Sequence, residues 1–354
     1  MTYEAYFDVA RTRLRADLTA FLAAKRGEVT RLRPWGRDVL RRLGTFALKG
    51  KMIRGGLVAL GCEMAGPHAG AAAIRAGTAF ELIQSGLLIH DDIMDRDLER
   101  RGGPSVHEQY ARIAPEPGGA EADHFGTSMA ICAGEIAIFL AFEAMAGLPG
   151  RPERKDFVQK LFAAEFGLVG LGQMLDIEAG SSREPVADRK ILEIYRYKTA
   201  RYSFYLPLAA GWSLGGGLRE ALPGLERLGL DLGLMFQIKD DEIGLFGQAR
   251  TTGKPVGSDI RQGKKTLYSS RLLAVATGPD RARLTEIFGC PGATDADIQF
   301  VCDLAEKLQI KEDVRRIMAR FARKASQEIL ALPVRLKHRR ILQGLLDYNL
   351  DRRS

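Results

Sequence analysis

The sequence predicts an all-α protein, and three observations carry that reading. Apolar residues recur at steps of three and four through most of the chain. Alternating strand patterns are hard to find, and the breaks between helical runs are short Gly/Pro clusters rather than linkers. Together they predict one domain over residues 1–354, a bundle of ten or more helices.

The bulk numbers allow a sizeable core. The chain has 354 residues, 46% hydrophobic and 27% charged, the balance of a globular protein. Fifty-two Lys and Arg against 44 Asp and Glu give +8, which suits nucleic acid, an anionic membrane or phosphorylated small molecules equally. Nucleic acid is the weakest of these, because the basic residues are interleaved with acids rather than gathered with aromatics. Cys62, Cys132, Cys290 and Cys302 lie far apart without a CxxC spacing. That argues against a disulfide framework or zinc site and fits a reducing compartment. The N-terminus is amphipathic and charged, without the apolar core of a signal peptide. No uninterrupted apolar run approaches the roughly 20 residues of a membrane span. The expectation is a cytoplasmic protein with no transmembrane segment.

Each main helix has its own justification. AIRAGTAFELIQSGLLIHDD places Phe80, Ile83, Leu87 and Asp91 in one stripe. TSMAICAGEIAIFLAFEAMA is apolar nearly all round, as a central buried helix would be. Punctuation falls at GPHAG (66–70), PEPGG (115–119), AGLPGRP (146–152), GSSREP (180–185) and TTGKPVG (251–257). The Pro-, Gly- and acid-rich stretch from 110 to 125 reads as a surface loop.

Chemistry gathers where two apolar helices end in acids. LIHDDIMDRDLERR carries Asp91, Asp92 and Asp95, with Asp91 and Asp95 one turn apart and Asp92 beside them, followed by Arg100 and Arg101. On a helix those three carboxylates converge and repel. Mg²⁺ resolves this, because it takes oxygen ligands, keeps several waters and bridges carboxylates to phosphates. The arginines would grip the same anion. A solvated helix end paired to Arg96, Arg100 and Arg101 is the alternative, but the apolar LLI running into Asp91 places the acids at the mouth of an apolar pocket. FQIKDDEIGLFG repeats the arrangement with Asp240 and Asp241, followed by Lys254, Lys264 and Lys265. Two such clusters can clamp a diphosphate between metal ions.

From about residue 45 to about 270 the ordered motifs resemble the trans-isoprenyl diphosphate synthases, the polyprenyl synthetase family that includes geranylgeranyl and farnesyl diphosphate synthases. GKMIRG (50–55), ELIQSGLLIHDDIMD with RRGGPSVH, AGEIAIFLAFE, GLGQMLDIEAG, YRYKTARYSFYLPLA, and FQIKDDEIG with TGKPVGSDIRQGKKT carry the likeness. The resemblance implies an isoprenoid synthase-type bundle around a deep central cavity, as a homodimer. It implies Mg²⁺ on Asp91, Asp92, Asp95, Asp240 and Asp241, bound with the diphosphate of an allylic substrate. Arg100, Lys198, Lys254 and Lys264 would contact that diphosphate. Lys51, Arg54 and Arg101 would bind isopentenyl diphosphate, with Gln84 where the family has His or Gln. Gln173, Asp176, Lys198, Thr199 and Gln237 would line the reaction centre. Such chemistry needs cations for a departing diphosphate, uncharged dipoles around an allylic cation, and a dry pocket.

Two positions depart from the pattern. Gly244 stands where many members have a third aspartate, and Glu242, pointing elsewhere on the helical wheel, is no substitute. Glu135 stands at the aspartate of the family's AGD helix. Leu87, one turn before Asp91, is expected to floor the cavity. Gly86 is about 140° off that face, and no aromatic blocks either position, which argues against a product stopping at ten carbons; geranylgeranyl diphosphate is the expectation, with farnesyl or longer products as alternatives. His90 is expected to be hydrogen-bonded within the bundle, Asp97 and Glu99 to be solvated, and Arg352 and Arg353 to form a frayed tail rather than a cap. Two rivals are weighed. A non-catalytic subunit is favoured only by Gly244, and a terpene cyclase is opposed by GKMIRG and by the DDEIG form of the second motif.

Overall fold

In a computed structural model, the described residues are 1–29, 31–66, 70–182, 184–246 and 257–352. They form sixteen α-helices: α1 (Tyr3–Val29), α2 (Trp35–Leu48), α3 (Ile53–Ala65), α4 (Gly70–Met94), α5 (Val106–Ala111), α6 (Ala120–Ala146), α7 (Pro152–Ser181), α8 (Asp188–Tyr195), α9 (Leu206–Gly215), α10 (Leu222–Phe246), α11 (Ser258–Arg261), α12 (Leu267–Val275), α13 (Gly278–Ile287), α14 (Asp295–Lys307), α15 (Ile310–Ala331) and α16 (Leu336–Asp351). A π-helical segment, Arg196–Tyr205, joins α8 to α9. Among the described residues the sheet content is one antiparallel pair, β1 (Glu99–Arg100) and β2 (Gly103–Pro104). The all-α reading holds. Among the described residues no cysteine forms a disulfide.

The helices gather into two compact units: residues 1–160 with 207–219, and residues 161–206 with 220–354. In the first, α4 packs along α6, and α3 along α4. A Cβ added at Gly86 would lie 2.8 Å from the Gly134 carbonyl, so the bare α-carbon lets these two helices meet backbone to backbone. The α6 face that meets α4 is built of small side chains, Ala130, Ala133, Gly134, Ala137 and Ala141. The sequence placed this helix at residue 127, but it begins at Ala120. Glu121 and Asp123 look like loop residues by composition, yet they suit the positive end of a helix dipole in its first turn. Among the described residues α6 is also long and apolar enough to cross a membrane by composition, a match that a count of uninterrupted apolar residues passed over. Its packing on α4 and α5 accounts for part of that apolarity, since 44% of the apolar window is buried.

In the second unit, α10 lies against the π-helical segment and α15. Arg201 pins the π-helical segment through two bonds to Glu165, at 2.7 and 2.6 Å, and one to Glu226 at 2.7 Å. This planar fork orients the segment that carries Lys198 and Thr199. π turns within helices are rare and frequently fall at functional sites, and helical periodicity alone does not mark them.

The first turn of α16 buries His338, at 2% exposure, with no hydrogen-bond partner on either ring nitrogen among the described residues. Burial, then the charges of Lys337 and Arg335, push its pKa from 6.5 down to about 4. Between those values the unfolded chain takes a proton that the folded chain refuses. This group's contribution is therefore complete above about pH 6.5 and is lost as pH falls toward 4. Thermal melts are expected to show a falling Tm across that window, and His338→Phe should remove this part of the fall.

Candidate functional site

The first cluster forms where α4 ends. Arg96 takes a left-handed conformation, φ 56°, which breaks the helix. The Asp97 N–H then bonds the Asp92 carbonyl at 2.8 Å, a helix-terminating pattern that folds the chain back beneath its own last turn. The hairpin that follows turns at Arg101 and Gly102, both at positive φ, as a tight two-residue turn requires. It returns Arg100 to the aspartates. Arg100 donates to Asp92 Oδ1 at 2.5 Å and to Asp97 Oδ2 at 2.9 Å, and lies 3.8 Å from Asp91 Oδ2.

This differs from the sequence expectation in two ways. Asp97 is buried, not solvated, because Arg100 neutralises it. Arg100, expected on a ligand anion, also donates to the chain's own carboxylates. Asp92 is fully buried, and its pKa rises to about 6 because burial outweighs Arg100's opposing charge. Asp92 Oδ2 has no hydrogen-bond partner among the described residues. An orphaned buried carboxylate oxygen beside the half-buried Asp91 and Asp95 is a donor set that fits a hard divalent cation. The described residues contain no group of three acids, His or Cys spaced to hold a metal alone. That is compatible with Mg²⁺, which completes its shell with water and phosphate.

The first unit also gathers cations around an acid that the motif reading missed. Met52 at φ 54° starts α3, and the Gly55 N–H donates to Glu81 Oε1 at 2.9 Å. Glu81 is buried in α4, and the Arg54 and Arg101 charges oppose the rise in its pKa that burial causes. Arg101 lies over the Phe46 ring at 4.6 Å and donates to the Phe46 carbonyl. Lys51 is exposed and Arg54 half-buried, while Gln84, one turn along from Glu81, is buried with Oε1 unsatisfied among the described residues. Glu81 opens the ELIQSGLLIHDDIMD stretch, but the spacing of that stretch gives it no role. His90 bonds the Ile131 carbonyl at 3.2 Å, as expected of a bundle histidine.

The second unit carries the other cluster. Gly172 on α7 lets the Lys198 backbone approach, since a Cβ there would lie 2.5 Å from Lys198 N. Lys198 Nζ donates to Asp176 Oδ2 at 2.5 Å, with Gln173 half-buried nearby in sequence on the same helix. Thr199 Oγ1 donates to Gln237 Oε1 at 2.8 Å, and Gln237 Nε2 to Asp241 Oδ1 at 2.9 Å. Tyr195 OH donates to Asp241 Oδ2. Burial holds the Asp241 pKa well above the usual carboxylate range against these two donors, and the nearby Asp259 and Asp240 charges add to the rise. Structure therefore joins five residues that sequence placed in one function, Asp176 with Lys198 and Thr199 with Gln237 and Asp241. Lys264 lies 3.9 Å from Asp259, and Lys254 lies outside the described residues.

The C-terminus is a correction. Arg352 is buried rather than frayed; it donates to Asp240 Oδ1 at 2.6 Å and to the Phe236 carbonyl at 2.8 Å, and it stacks 3.9 Å from the Phe236 ring centre. A cation beside an exposed carboxylate, with an aromatic face to lie on, ties down what composition alone reads as a tail. Arg353 lies outside the described residues. Gly244 also has a spatial answer. A Cβ built there would sit 2.5 Å from Asp259 Oδ2, so a carboxylate from α11 fills the place of the missing side chain. Glu242 is held by Lys239 at 3.1 Å, Arg315 at 3.2 Å and Lys311 at 3.8 Å.

Comparison with known proteins decides the family. The polyprenyl synthetase family model matches residues 38–305. The chain belongs to the polyprenyl synthetase family. It is 30% identical over 289 residues to the geranylgeranyl diphosphate synthase of Saccharolobus solfataricus, covering 80% of each chain. To the nonaprenyl diphosphate synthase of Mycobacterium tuberculosis it is 30% identical over 315 residues, covering 88% of this chain and 85% of that one. Its fold is that of the geranylgeranyl pyrophosphate synthase of Corynebacterium glutamicum, solved with isoprenyl diphosphate and magnesium, with TM-score 0.91, 27% identity and full coverage of both chains. This family member thus has an isoprenoid synthase fold.

Two expectations follow from the packing. Arg100→Ala strands two buried carboxylates and should cost about 3–5 kcal/mol in urea unfolding, an effect larger than its removal from a solvated helix end would give. Gly244→Asp drives a side chain into Asp259 and should cost about 1–3 kcal/mol, with Asp259→Ala in the same chain relieving the loss; a Gly244→Asp chain as stable as wild type would show that Asp259 does not fill that place.

Proposed function

We propose that the protein is a trans-prenyltransferase that condenses isopentenyl diphosphate head-to-tail with an allylic diphosphate, with geranylgeranyl diphosphate as its product. The observation that carries the reading is that this family member has two aspartate clusters at the ends of apolar helices, each with a cationic partner. The fold neighbour's complex with isoprenyl diphosphate and magnesium supports the same substrate class and cofactor.

In this reading Asp91, Asp92, Asp95, Asp240 and Asp241 hold Mg²⁺, which when bound offsets charge on the diphosphate as the allylic C–O bond ionises. Lys198 and Arg100, with Lys254 and Lys264, face the leaving diphosphate. Lys51, Arg54 and Arg101 hold the diphosphate of isopentenyl diphosphate, with Gln84 beside it. Glu81 keeps two of those arginines in place. The C–O electron pair leaves with the diphosphate, the double bond of isopentenyl diphosphate attacks the allylic carbon, and a proton then leaves for the diphosphate. Asp176 bonds Lys198 and so directs its ammonium. Thr199, Gln237 and Gln173 present dipoles rather than charge toward the allylic cation, which spares it a competing positive group. No His or Ser nucleophile is required.

The C20 product rests on Leu87, one turn before Asp91, where no aromatic stands. Leu87 is half-buried, and Gly86 is spent on packing with α6. Relatives of equal identity make C20 and nonaprenyl products by their names, so farnesyl and longer products are the alternatives. The Asp259 carboxylate beside Gly244 supports the catalytic reading over a non-catalytic subunit. A homodimer is the assembly proposed. Ile131, Ile136, Phe139 and Phe142 leave a large apolar stripe of α6 exposed, with Phe139 at 68%, and a second copy would cover it.

Purified protein incubated with Mg²⁺, isopentenyl diphosphate and, separately, dimethylallyl, geranyl and farnesyl diphosphate is expected to yield a product series ending at C20 by mass. Asp92→Asn is expected to lower the rate on the order of a hundredfold. Folded protein that elongates none of the three primers would overturn the reading.

A further inference from the structure

The motif that carries Lys198 and Thr199 opens on a buried tyrosine that no part of the reaction above uses. Tyr195 is the last residue of α8, and its hydroxyl reaches both α10 and the start of α12. We propose that Tyr195 is a positioning residue for the second aspartate cluster: its hydroxyl, aimed by the Leu267 backbone, holds the Asp241 carboxylate in one orientation. This rests on the prenyltransferase reading, in which Asp241 is a metal ligand.

The aim follows from counting donors. The Leu267 N–H can only donate, and it does so to Tyr195 OH at 3.1 Å. A phenol has a single proton, so that proton is left for Asp241 Oδ2. On the other side, Gln237 Nε2 donates to Asp241 Oδ1, which leaves Gln237 Oε1 to accept the Thr199 hydroxyl. Each carboxylate oxygen thus receives one donor, and each donor is itself fixed by a third group. Rotation of the carboxylate would break both bonds at once, while each oxygen keeps a second lone pair for a cation. Leu267 follows Thr266, whose side chain forms a reciprocal cap with Ser269, so the α12 end of the relay is rigid. The same turn follows Lys264 and Lys265, so Tyr195 ties the segment bearing these lysines to Asp241.

The test measures metal binding directly. In the ligand-free protein, Mn²⁺ binding followed by electron paramagnetic resonance is expected to weaken roughly tenfold in Tyr195→Phe, as partners of metal-bound carboxylates typically show. The Mg²⁺ concentration for half-maximal elongation should rise with it, while KM for isopentenyl diphosphate stays unchanged. In an Asp241→Asn background the same replacement should alter Mn²⁺ binding by less than about twofold, because the interaction it removes is already gone. Replacing Tyr195 with 4-aminophenylalanine, which keeps a donor on the ring, should bind Mn²⁺ like wild type, and it decides the matter should the Phe variant fail to fold. Unchanged Mn²⁺ affinity in Tyr195→Phe, an equal loss in the Asp241→Asn background, or failure of the amino variant to restore binding would each overturn the proposal. Absence of elongation by the wild type would sink the prenyltransferase reading alone, since the Mn²⁺ measurement needs no turnover.

Discussion

A carboxylate carried on an apolar helix cannot be buried until something donates to it, because an isolated charge away from water costs far more than a helix gains by packing. This constraint organises both clusters. At the end of α4 it is met by Arg100, which the Arg101–Gly102 turn swings back onto Asp92 and Asp97. In α10 it is met without a cation for Asp241, by the hydroxyl of Tyr195 and the amide of Gln237. The two solutions leave different chemistry behind. Arg100 neutralises its acids, whereas Tyr195 and Gln237 orient theirs and leave its charge for another partner.

The surrounding packing serves these arrangements. Close approach of α4 to α6 at Gly86 fixes the helix that delivers Asp91 and Asp92, and close approach of Gly172 to the π-helical segment fixes Lys198 against Asp176. The π geometry lets Lys198 and Thr199 reach separate partners, Asp176 and Gln237. Arg201, forked between Glu165 and Glu226, keeps that wider turn in register. Side chains placed this way need little rearrangement when charge develops nearby, which is where catalytic electrostatics draws its advantage.

Motif reasoning succeeded where function is carried by spacing along one element. Asp91 with Asp92, Asp240 with Asp241, and Lys198 with Thr199 sit on helices whose period is visible in the sequence. It failed where a residue's role depends on a partner remote in the chain. Asp97 reads as solvated until the hairpin returns Arg100 to it. Arg352 reads as a tail until α16 brings it to Asp240 and Phe236. Glu81 and Asp259 lie inside the quoted motif stretches without a role that spacing reveals, and their importance comes from the Gly55 N–H and from the space at Gly244.

By itself, the sequence determined the all-α class, the family likeness and the acids and bases of the two clusters, because helical period and residue chemistry are local properties. Tertiary structure alone decided which charges meet. Arg100 could have faced solvent or a ligand, and only the left-handed residues at Arg96 and Arg101 aim it inward. Tyr195 could have been one more core aromatic. It becomes a hydrogen-bond donor because folding sets the Leu267 N–H, 72 residues away in the chain, against its oxygen. Hydrogen-bond direction depends on all the groups around an atom, and those are assembled only when the chain has folded.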